Sequence, residues 1–376
     1  MKVLLGLSGG VDSAISAYLL KKAGYEVTGA FMRNWDAMTN NDYLGNPTIN
    51  DNQCPQEKDY DDAKAVAAKL GIPLLRVDFV KEYWDEVFSY FLSEYKKGRT
   101  PNPDVFCNKY IKFDSFLSYA KARGFDKIAM GHYAKRGVYE GHDYLFKPKD
   151  LLKDQTYFLC QINEAQIASC LFPMSDITKV ETRAIAKELG LNEVATKHGS
   201  TGVCFIGERN FRQFLHNYFP ATKGQIVDVD NGKVLGEHMG VLYYTLGQRR
   251  GLGIGGVSGE TDEAWFICKK DVQKNILYVA HGNEDEHLNS DSCLIADTNW
   301  IGPKPEKPLH VGVKFRYRQP DQGCTLAFEG ENVRLTYDAP YKAVTPGQFA
   351  VFYREGRMLG GGIIDQTFLK GVRVDL

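Results

Sequence analysis

The chain has 376 residues, with 46 Lys plus Arg against 47 Asp plus Glu, a formal net charge of -1. That balance excludes a generally polybasic nucleic-acid binder, so any nucleic-acid surface has to be a local patch. Hydrophobic residues at 43% and charged residues at 25% are ordinary for a soluble globular protein, and at roughly 150 residues per domain the length suggests two or three domains.

The first 130 residues alternate strand and helix patterns. Lys2 to Leu7 is a short apolar strand, and Ser13 to Ala23 carries Ala14, Ile15, Ala17, Tyr18 and Leu19 at helical spacing before Gly24. Strands follow at Glu26 to Met32, Leu74 to Phe79 and Lys127 to Met130. Helices are predicted at Glu57 to Leu70, Lys81 to Lys97 and Phe113 to Ala122. This alternation implies a doubly wound α/β domain: a parallel sheet covered by helices, with ligands at the carboxyl ends of the strands. Two long loops interrupt it, the polar Asp36 to Gln56 and the segment Gly98 to Ile111, in which Pro101 and Pro103 are expected to exclude helix. Asn163 to Gly190 reads as largely helical and Asn210 to Tyr218 as a last short helix. A hairpin is predicted around Asp230-Asn231-Gly232. Beyond it come short strands at Ala264 to Cys268, Ile276 to Val279, Leu309 to Arg318, Cys324 to Phe328, Val333 to Tyr337, Gln348 to Tyr353 and Met358 to Asp365. Their spacing points to a small β-rich domain followed by a β-barrel or sandwich. The boundaries expected are 1–210, 211–282 and 283–376. No apolar run approaches the roughly 18 residues of a membrane span, and the N-terminus enters a strand without a signal-peptide pattern. A cytoplasmic location with no membrane partner is expected.

Of eight cysteines, no two are spaced as CxxC, which argues against zinc and iron–sulfur ligation. Six of them (Cys54, Cys160, Cys170, Cys268, Cys293 and Cys324) read as small structural hydrophobes. Cys107, in Thr100-Pro101-Asn102-Pro103-Asp104-Val105-Phe106-Cys107-Asn108-Lys109, and Cys204, in Ser200-Thr201-Gly202-Val203-Cys204-Phe205-Ile206-Gly207, stand in settings compatible with chemistry. Lys109 lies close enough in sequence to favour a thiolate, and Asp104 is a candidate acid/base group; a structural thiol and a capped loop remain the plainer alternatives.

Leu5-Gly6-Leu7-Ser8-Gly9-Gly10-Val11-Asp12-Ser13 joins the first strand to the first helix. Adjacent glycines let backbone N–H groups approach an anion, the helix adds its positive end, and Ser8 and Ser13 can donate hydroxyls. The loop lacks a Walker A Gly-Lys-Ser/Thr ending. The string SGGVDS resembles the signature of the PP-loop ATP pyrophosphatases, which split ATP between the α and β phosphates and adenylate a carbonyl-type oxygen, usually with Mg²⁺. That resemblance implies nucleotide contacts at Gly6, Leu7, Ser8, Gly9, Gly10, Val11, Asp12, Ser13, Met32 and Gly131.

Five further motifs follow in order: TPNPDVFCN, GHYA, KDQTYFL, STGVCFIGE and YTLGQRRGLGIGG. Together with SGGVDS they resemble the tRNA-specific 2-thiouridylase family over nearly the whole length. The resemblance implies replacement of the 2-oxygen of a wobble uridine by sulfur, with Cys204 as the persulfide carrier, Cys107 as the second thiol and a transient disulfide between them. It places the target base at Asn102, Pro103 and Asp104. Contacts to tRNA fall at His132, Lys153, Asp154, Gln155, Arg316, Tyr317 and Gln348, and the sulfur comes from a cysteine desulfurase or a relay protein. A solvated strand face would equally account for Arg316. Arg249 and Arg250 head a glycine-rich stretch, 251–256, that lacks the strand–helix setting of a dinucleotide or methyltransferase site and suits phosphate contact better. An amide-forming synthetase would leave both cysteines unused and has no glutaminase nucleophile at Lys2. A purely RNA-binding protein would not need the intact phosphate loop.

Overall fold

The computed structural model describes residues 1–51, 53–196, 206, 209–254 and 263–375. Cys204 and the glycines at 255 and 256 lie outside these residues.

Strands β1 (Lys2–Gly6), β2 (Glu26–Arg33), β3 (Leu74–Asp78) and β4 (Lys127–Ala129) form the first sheet. A hairpin of β5 (Lys135–Tyr139) and β6 (His142–Phe146) intervenes before β7 (Cys170–Leu171) completes it. The order is β3-β2-β1-β4-β7 and every pairing is parallel. Side chains alternate across β1. Val3 and Leu5 pack into a core with Ile15, Ala17 and Val66, while Leu4 joins Ile128 and Met130 on the opposite face. Helices α1 (Val11–Lys22), α2 (Pro55–Leu70) and α3 (Lys179–Glu188) supply the first of these cores. After β3 the chain returns past β1 to lay down β4, so the winding direction reverses between β1 and β4. A reversal of this kind leaves a crevice at the carboxyl ends of those two strands.

Three expectations need correction. The prolines of the Cys107 segment begin a helix instead of excluding one. Pro103 is the first residue of the helix Pro103–Phe106, and Asn102 caps it, its side-chain oxygen accepting from the Asp104 N–H at 3.2 Å. Proline suits this position because its missing N–H would have had no partner there. The helix then continues through a π-wound stretch, Cys107–Ser115, into Phe116–Ala122. The second correction is β7, which pairs Cys170 with Ile128 in a segment read as largely helical, with no strand expected there. Its two residues are too short to show a strand period. The third is the long strand at 289–300 described below, which the predicted series omits even though Cys293 itself sits in a strand pattern.

The second domain holds β8 (Gly224–Asp228), β9 (Val234–His238), β10 (Trp265–Asp271) and β11 (Ile276–His281) in the order β10-β11-β8-β9. The predicted hairpin is β8–β9, with Gly232 at φ +74° in its turn. Next come β12 (Asn289–Trp300), β13 (Leu309–Lys314), β14 (Gln322–Glu329), β15 (Asn332–Lys342), β16 (Phe349–Arg354), β17 (Arg357–Leu369) and β18 (Val372–Arg373). Because β12 pairs with both β15 and β17, the sheet closes into a barrel. Closure brings backbones together at Gly360, where a Cβ would lie 2.0 Å from the Asn299 carbonyl oxygen. The β5–β6 hairpin leaves the first domain and extends this barrel sheet, pairing Leu145 with Met358 and Phe146 with Arg357.

Buried polar links fix the first domain against the barrel. Lys314 donates to Asp154 Oδ2 at 2.9 Å with both side chains buried, and Asp154 Oδ1 accepts from the Thr156 N–H and hydroxyl. Arg99 reaches Asp365 Oδ1 at 2.6 Å, and Tyr157 donates its hydroxyl to the Phe349 carbonyl at 3.1 Å. The loop after β2 reaches the start of the second domain, where the Leu44 N–H donates to Asn217 Oδ1 at 2.9 Å and the Tyr218 hydroxyl donates to the Asn40 carbonyl at 2.8 Å. Asp42 of this loop is buried and accepts from Arg209 at 2.8 Å and from the Trp35 indole at 3.0 Å.

Removing one member of a buried pair strands the other charge. Lys314→Met is therefore expected to cost about 3 kcal/mol of stability, while an Asp154→Leu/Lys314→Met double variant recovers most of it, as denaturant unfolding would show. A second prediction concerns Lys270 on β10, whose amine is buried and donates to the Tyr244 carbonyl at 2.9 Å. Burial pushes its pKa down to about 7. Between that value and the unfolded lysine value of about 10.4, the unfolded chain binds the extra proton, so stability rises with pH across this window. Lys270→Met should flatten that rise in melting curves taken from pH 7 to pH 10; an unchanged slope would contradict the assignment.

Candidate nucleotide site and paired cysteine chemistry

The loop from Leu7 to Gly10 lies at the crevice between β1 and β4. Gly9 adopts φ +76°, and a Cβ on it would sit 2.4 Å from the Asp59 carbonyl of α2. Gly6 is pressed between Met130 and Met32, which approach the place of its Cβ at 2.9 and 3.1 Å. At the end of β4, a Cβ on Gly131 would lie 3.1 Å from the Ser13 nitrogen. The loop is thus held by α2 on one side, at a distance and a positive φ that only glycine permits at Gly9, and lies in tight contact with the β4 end at Gly131 on the other. Ser13 organises its interior. Its hydroxyl donates to the Gly10 carbonyl at 2.9 Å, accepts from the Ser8 N–H at 3.2 Å and lies 3.2 Å from the Ser8 hydroxyl. Gly10 is the N-cap of α1 and brings no side-chain cap, so the helix presents its first amides and its positive dipole end to the crevice. This is an anion cradle.

Two residues that the sequence did not single out complete it. Lys179 donates to Asp12 Oδ1 at 2.6 Å, and the buried Tyr133 donates its hydroxyl to the same oxygen at 3.0 Å. Burial, and then the Asp12 charge, push the Tyr133 pKa up, so its hydroxyl stays protonated as a donor. The loop has no lysine of its own; the fold delivers one from 167 residues away. A signal was present in the string Thr178-Lys179-Val180-Glu181. Thr178 and Glu181 form a capping box, which marks Lys179 as the first residue of α3. A cation there opposes the helix dipole and needs a compensating anion. Asp12 provides it.

Cys107 is fully buried at the start of its π-wound turn, in the same continuous core as Met32 and Met130. Two residues on, the Lys109 amine donates to Gln161 Oε1 at 3.1 Å and lies over the Tyr110 ring at 5.1 Å. Asn108 donates to the Phe158 carbonyl at 2.9 Å, and the Phe106 ring meets Phe349 of the barrel edge-on at 5.5 Å. The same helix touches the loop after β4, where the Phe113 and His132 rings lie 5.9 Å apart. Burial first, and Lys112 second, hold the His132 pKa well below the usual histidine range, so its ring is neutral at pH 7.

The remaining expected contacts are divided between the first domain and the barrel. Asn102 and Asp104 are half-buried and Pro103 is buried. Lys153 is exposed; Asp154 is turned inward onto Lys314; Gln155 bonds both backbone groups of Tyr133. Arg316 spends its guanidinium on the Leu246 and Ala343 carbonyls and the Thr345 hydroxyl, and Gln348 donates to the Thr100 carbonyl at 2.9 Å. Tyr317 packs on Phe158 at 4.5 Å. Among the six cysteines read as structural, Cys54 is exposed and the other five are buried. Burial pushes Cys160, Cys170 and Cys324 up in pKa, and pushes Cys268 and Cys293 up to about 12, which makes poor nucleophiles of them.

If the Gly131–Ser13 approach shapes the cradle, Gly131→Val should weaken nucleoside triphosphate binding by at least about tenfold, or about 1.4 kcal/mol. Calorimetric titration would read this; an unchanged affinity would count against the site.

Comparison with known proteins identifies the family. Three family models match in succession: "tRNA methyl transferase HUP domain" over residues 1–208, "tRNA methyl transferase PRC-barrel domain" over 212–281 and "Aminomethyltransferase beta-barrel domain" over 290–364. The tRNA-specific 2-thiouridylase MnmA of Mycoplasma capricolum is 53% identical, across 97% of this chain and 99% of the relative. The 2-thiouridylases of Ureaplasma urealyticum and Geobacillus kaustophilus are 51% and 49% identical, across 97% and 99% of this chain and 96% and 97% of the relatives. No helix among the described residues is long and apolar enough to cross a membrane. With half of all positions shared over nearly its full length, the chain belongs to the tRNA-specific 2-thiouridylase family.

Proposed function

We propose that this chain uses ATP to replace the 2-oxygen of the wobble uridine of tRNA with sulfur, releasing AMP and diphosphate. The observation that carries the reading is the anion cradle at the β1/β4 crevice, closed by Gly131 against Ser13. A methyl transfer, which two of the family descriptions name, would leave that cradle without a task.

A uracil carbonyl oxygen is a poor leaving group, and adenylation makes it a good one. Amides of the loop from Ser8 to Ser13 hold the β and γ phosphates, Lys179 lies beside them, and Met32 meets the base of the nucleotide. Mg²⁺ would neutralise phosphate charge. It is ordinarily held by one or two carboxylates plus phosphate oxygens, and Asp12, partly exposed beside the cradle, fits the protein's share. The uracil 2-oxygen attacks the α phosphorus and the bond to the bridging oxygen breaks, so diphosphate leaves. Cys204, loaded as a persulfide by a cysteine desulfurase or a relay protein, then attacks C2 through its outer sulfur, and AMP departs with the former 2-oxygen. Cys107 attacks the inner sulfur, which leaves sulfur on C2 and a Cys107–Cys204 disulfide. A thiol reductant returns the two cysteines to thiols. Asp104, next to Asn102 and Pro103 at the start of the Cys107 helix, is the candidate proton acceptor for this thiol. The target base must reach a buried Cys107, so RNA binding has to open this helix end.

The test uses Cys107→Ser and Cys204→Ser with ATP, a persulfide donor and unmodified tRNA. Both variants should yield less than about 1% of the wild-type 2-thiouridine by nucleoside mass analysis, in line with the non-additive loss seen when one member of a chemical pair is removed. Wild-type yield from either would defeat the two-thiol scheme.

A further inference from the structure

Segment 150–155 reaches one oxygen of the phosphate loop by two separate routes. On the first, Asp150 Oδ1 accepts from the Leu152 N–H at 3.2 Å, and its Oδ2 accepts from the Lys179 N–H at 2.8 Å. The Lys179 amine then holds Asp12 Oδ1 at 2.6 Å. On the second, Gln155 exchanges two hydrogen bonds with the Tyr133 backbone, each 2.9 Å, and the Tyr133 hydroxyl holds the same Asp12 oxygen at 3.0 Å. Between Asp150 and Gln155 the chain turns outward. Leu151 and Leu152 are 67% and 93% exposed there, and Lys153 beside them is also exposed.

We propose that Asp150 and Gln155 are positioning residues that tie this outward turn to Asp12, so that RNA seated on the turn sets the phosphate loop for ATP cleavage. The proposal rests on the functional reading above. Two bare leucines next to a lysine match the chemistry of an RNA loop, whose unstacked bases offer apolar faces beside phosphates. The turn is anchored at both ends: the Lys149 N–H donates to the Ser175 carbonyl at 2.9 Å, and the buried Asp154 is held by Lys314 at 2.9 Å. Tyr133 is buried in a close-packed core and moves only with its backbone. A shift of the turn therefore changes how firmly Lys179 and Tyr133 hold the Asp12 carboxylate at the phosphate loop. The arrangement adds correct seating of the RNA on this turn to the requirement for the uracil oxygen itself.

AMP formation is measured at varied ATP, with and without an unmodified tRNA transcript, for wild type, Asp150→Ala and Asp150→Asn, alongside the tRNA Kd. Asp150→Ala should lower the RNA-stimulated kcat roughly ten- to a hundred-fold, as misplacement of a reacting group does, with the tRNA Kd within about threefold of wild type. Asp150→Asn, which keeps one acceptor oxygen for two amides, should fall between, and it carries the test if the alanine variant does not fold. An undiminished RNA-stimulated rate overturns the proposal. So does a loss of rate that tracks a loss of tRNA affinity, which would make Asp150 part of an ordinary contact surface. Wild-type protein that forms no AMP even with RNA present would instead bring down the functional reading itself, and the proposal with it.

Discussion

The structure depends on one steric constraint, the meeting of Gly131 with the start of α1 where the sheet reverses its winding. Both β1 and β4 end in that crevice, and the loop between β1 and α1 fits because no side chain stands at Gly9 and because Gly131 leaves the Ser13 amide in tight contact with the β4 end. Uncapped amides at a helix N-terminus are costly unless an anion or water meets them. The crevice gathers such amides together with the Ser8 and Ser13 hydroxyls. The proposed binding of a phosphate chain rests on this geometry before any residue-specific chemistry is considered.

A reaction that joins a nucleotide to a base on a large RNA needs the nucleotide pocket and the RNA-facing surface to keep a fixed relation. The fold meets that need by interweaving the domains. The β5–β6 hairpin is spent on the barrel sheet, Asp154 and Lys314 share a buried charge pair, and Arg99 and Tyr157 fasten the Cys107 helix region to the barrel. The loop after β2 likewise grips Arg209, five residues beyond Cys204 in sequence. Such buried polar links add little net stability, since desolvation offsets their attraction, but they are severe about geometry: a misregistered partner leaves a charge unpaired.

How much of this was legible in the sequence follows from the range of the forces involved. The phosphate loop, the alternating first domain and the Asp230–Gly232 hairpin are encoded by near neighbours, and local patterns disclose them. The Pro103 helix was misread because proline forbids a helix interior yet favours a first turn, and only the Asn102 cap separates the two cases. Strand β7 is two residues long. Strand β12 pairs with two neighbours at once through several bulges, which breaks the alternation that would have shown it. Asp12's partners, Lys179 and Tyr133, lie 167 and 121 residues away and meet it only through the fold. The outward turn at Leu151–Lys153 was visible as a motif, but its inward connections were not.

Activation of the uridine oxygen by adenylation is the centre of the account, and the fate of that oxygen tests it most directly. A tRNA carrying heavy oxygen at the 2-position of its wobble uridine is incubated with the protein, ATP and a persulfide donor, and the nucleotide products are weighed by mass spectrometry. The account predicts AMP that carries the heavy oxygen, one for each 2-thiouridine formed. Unlabelled AMP, or ADP and phosphate in its place, would contradict it.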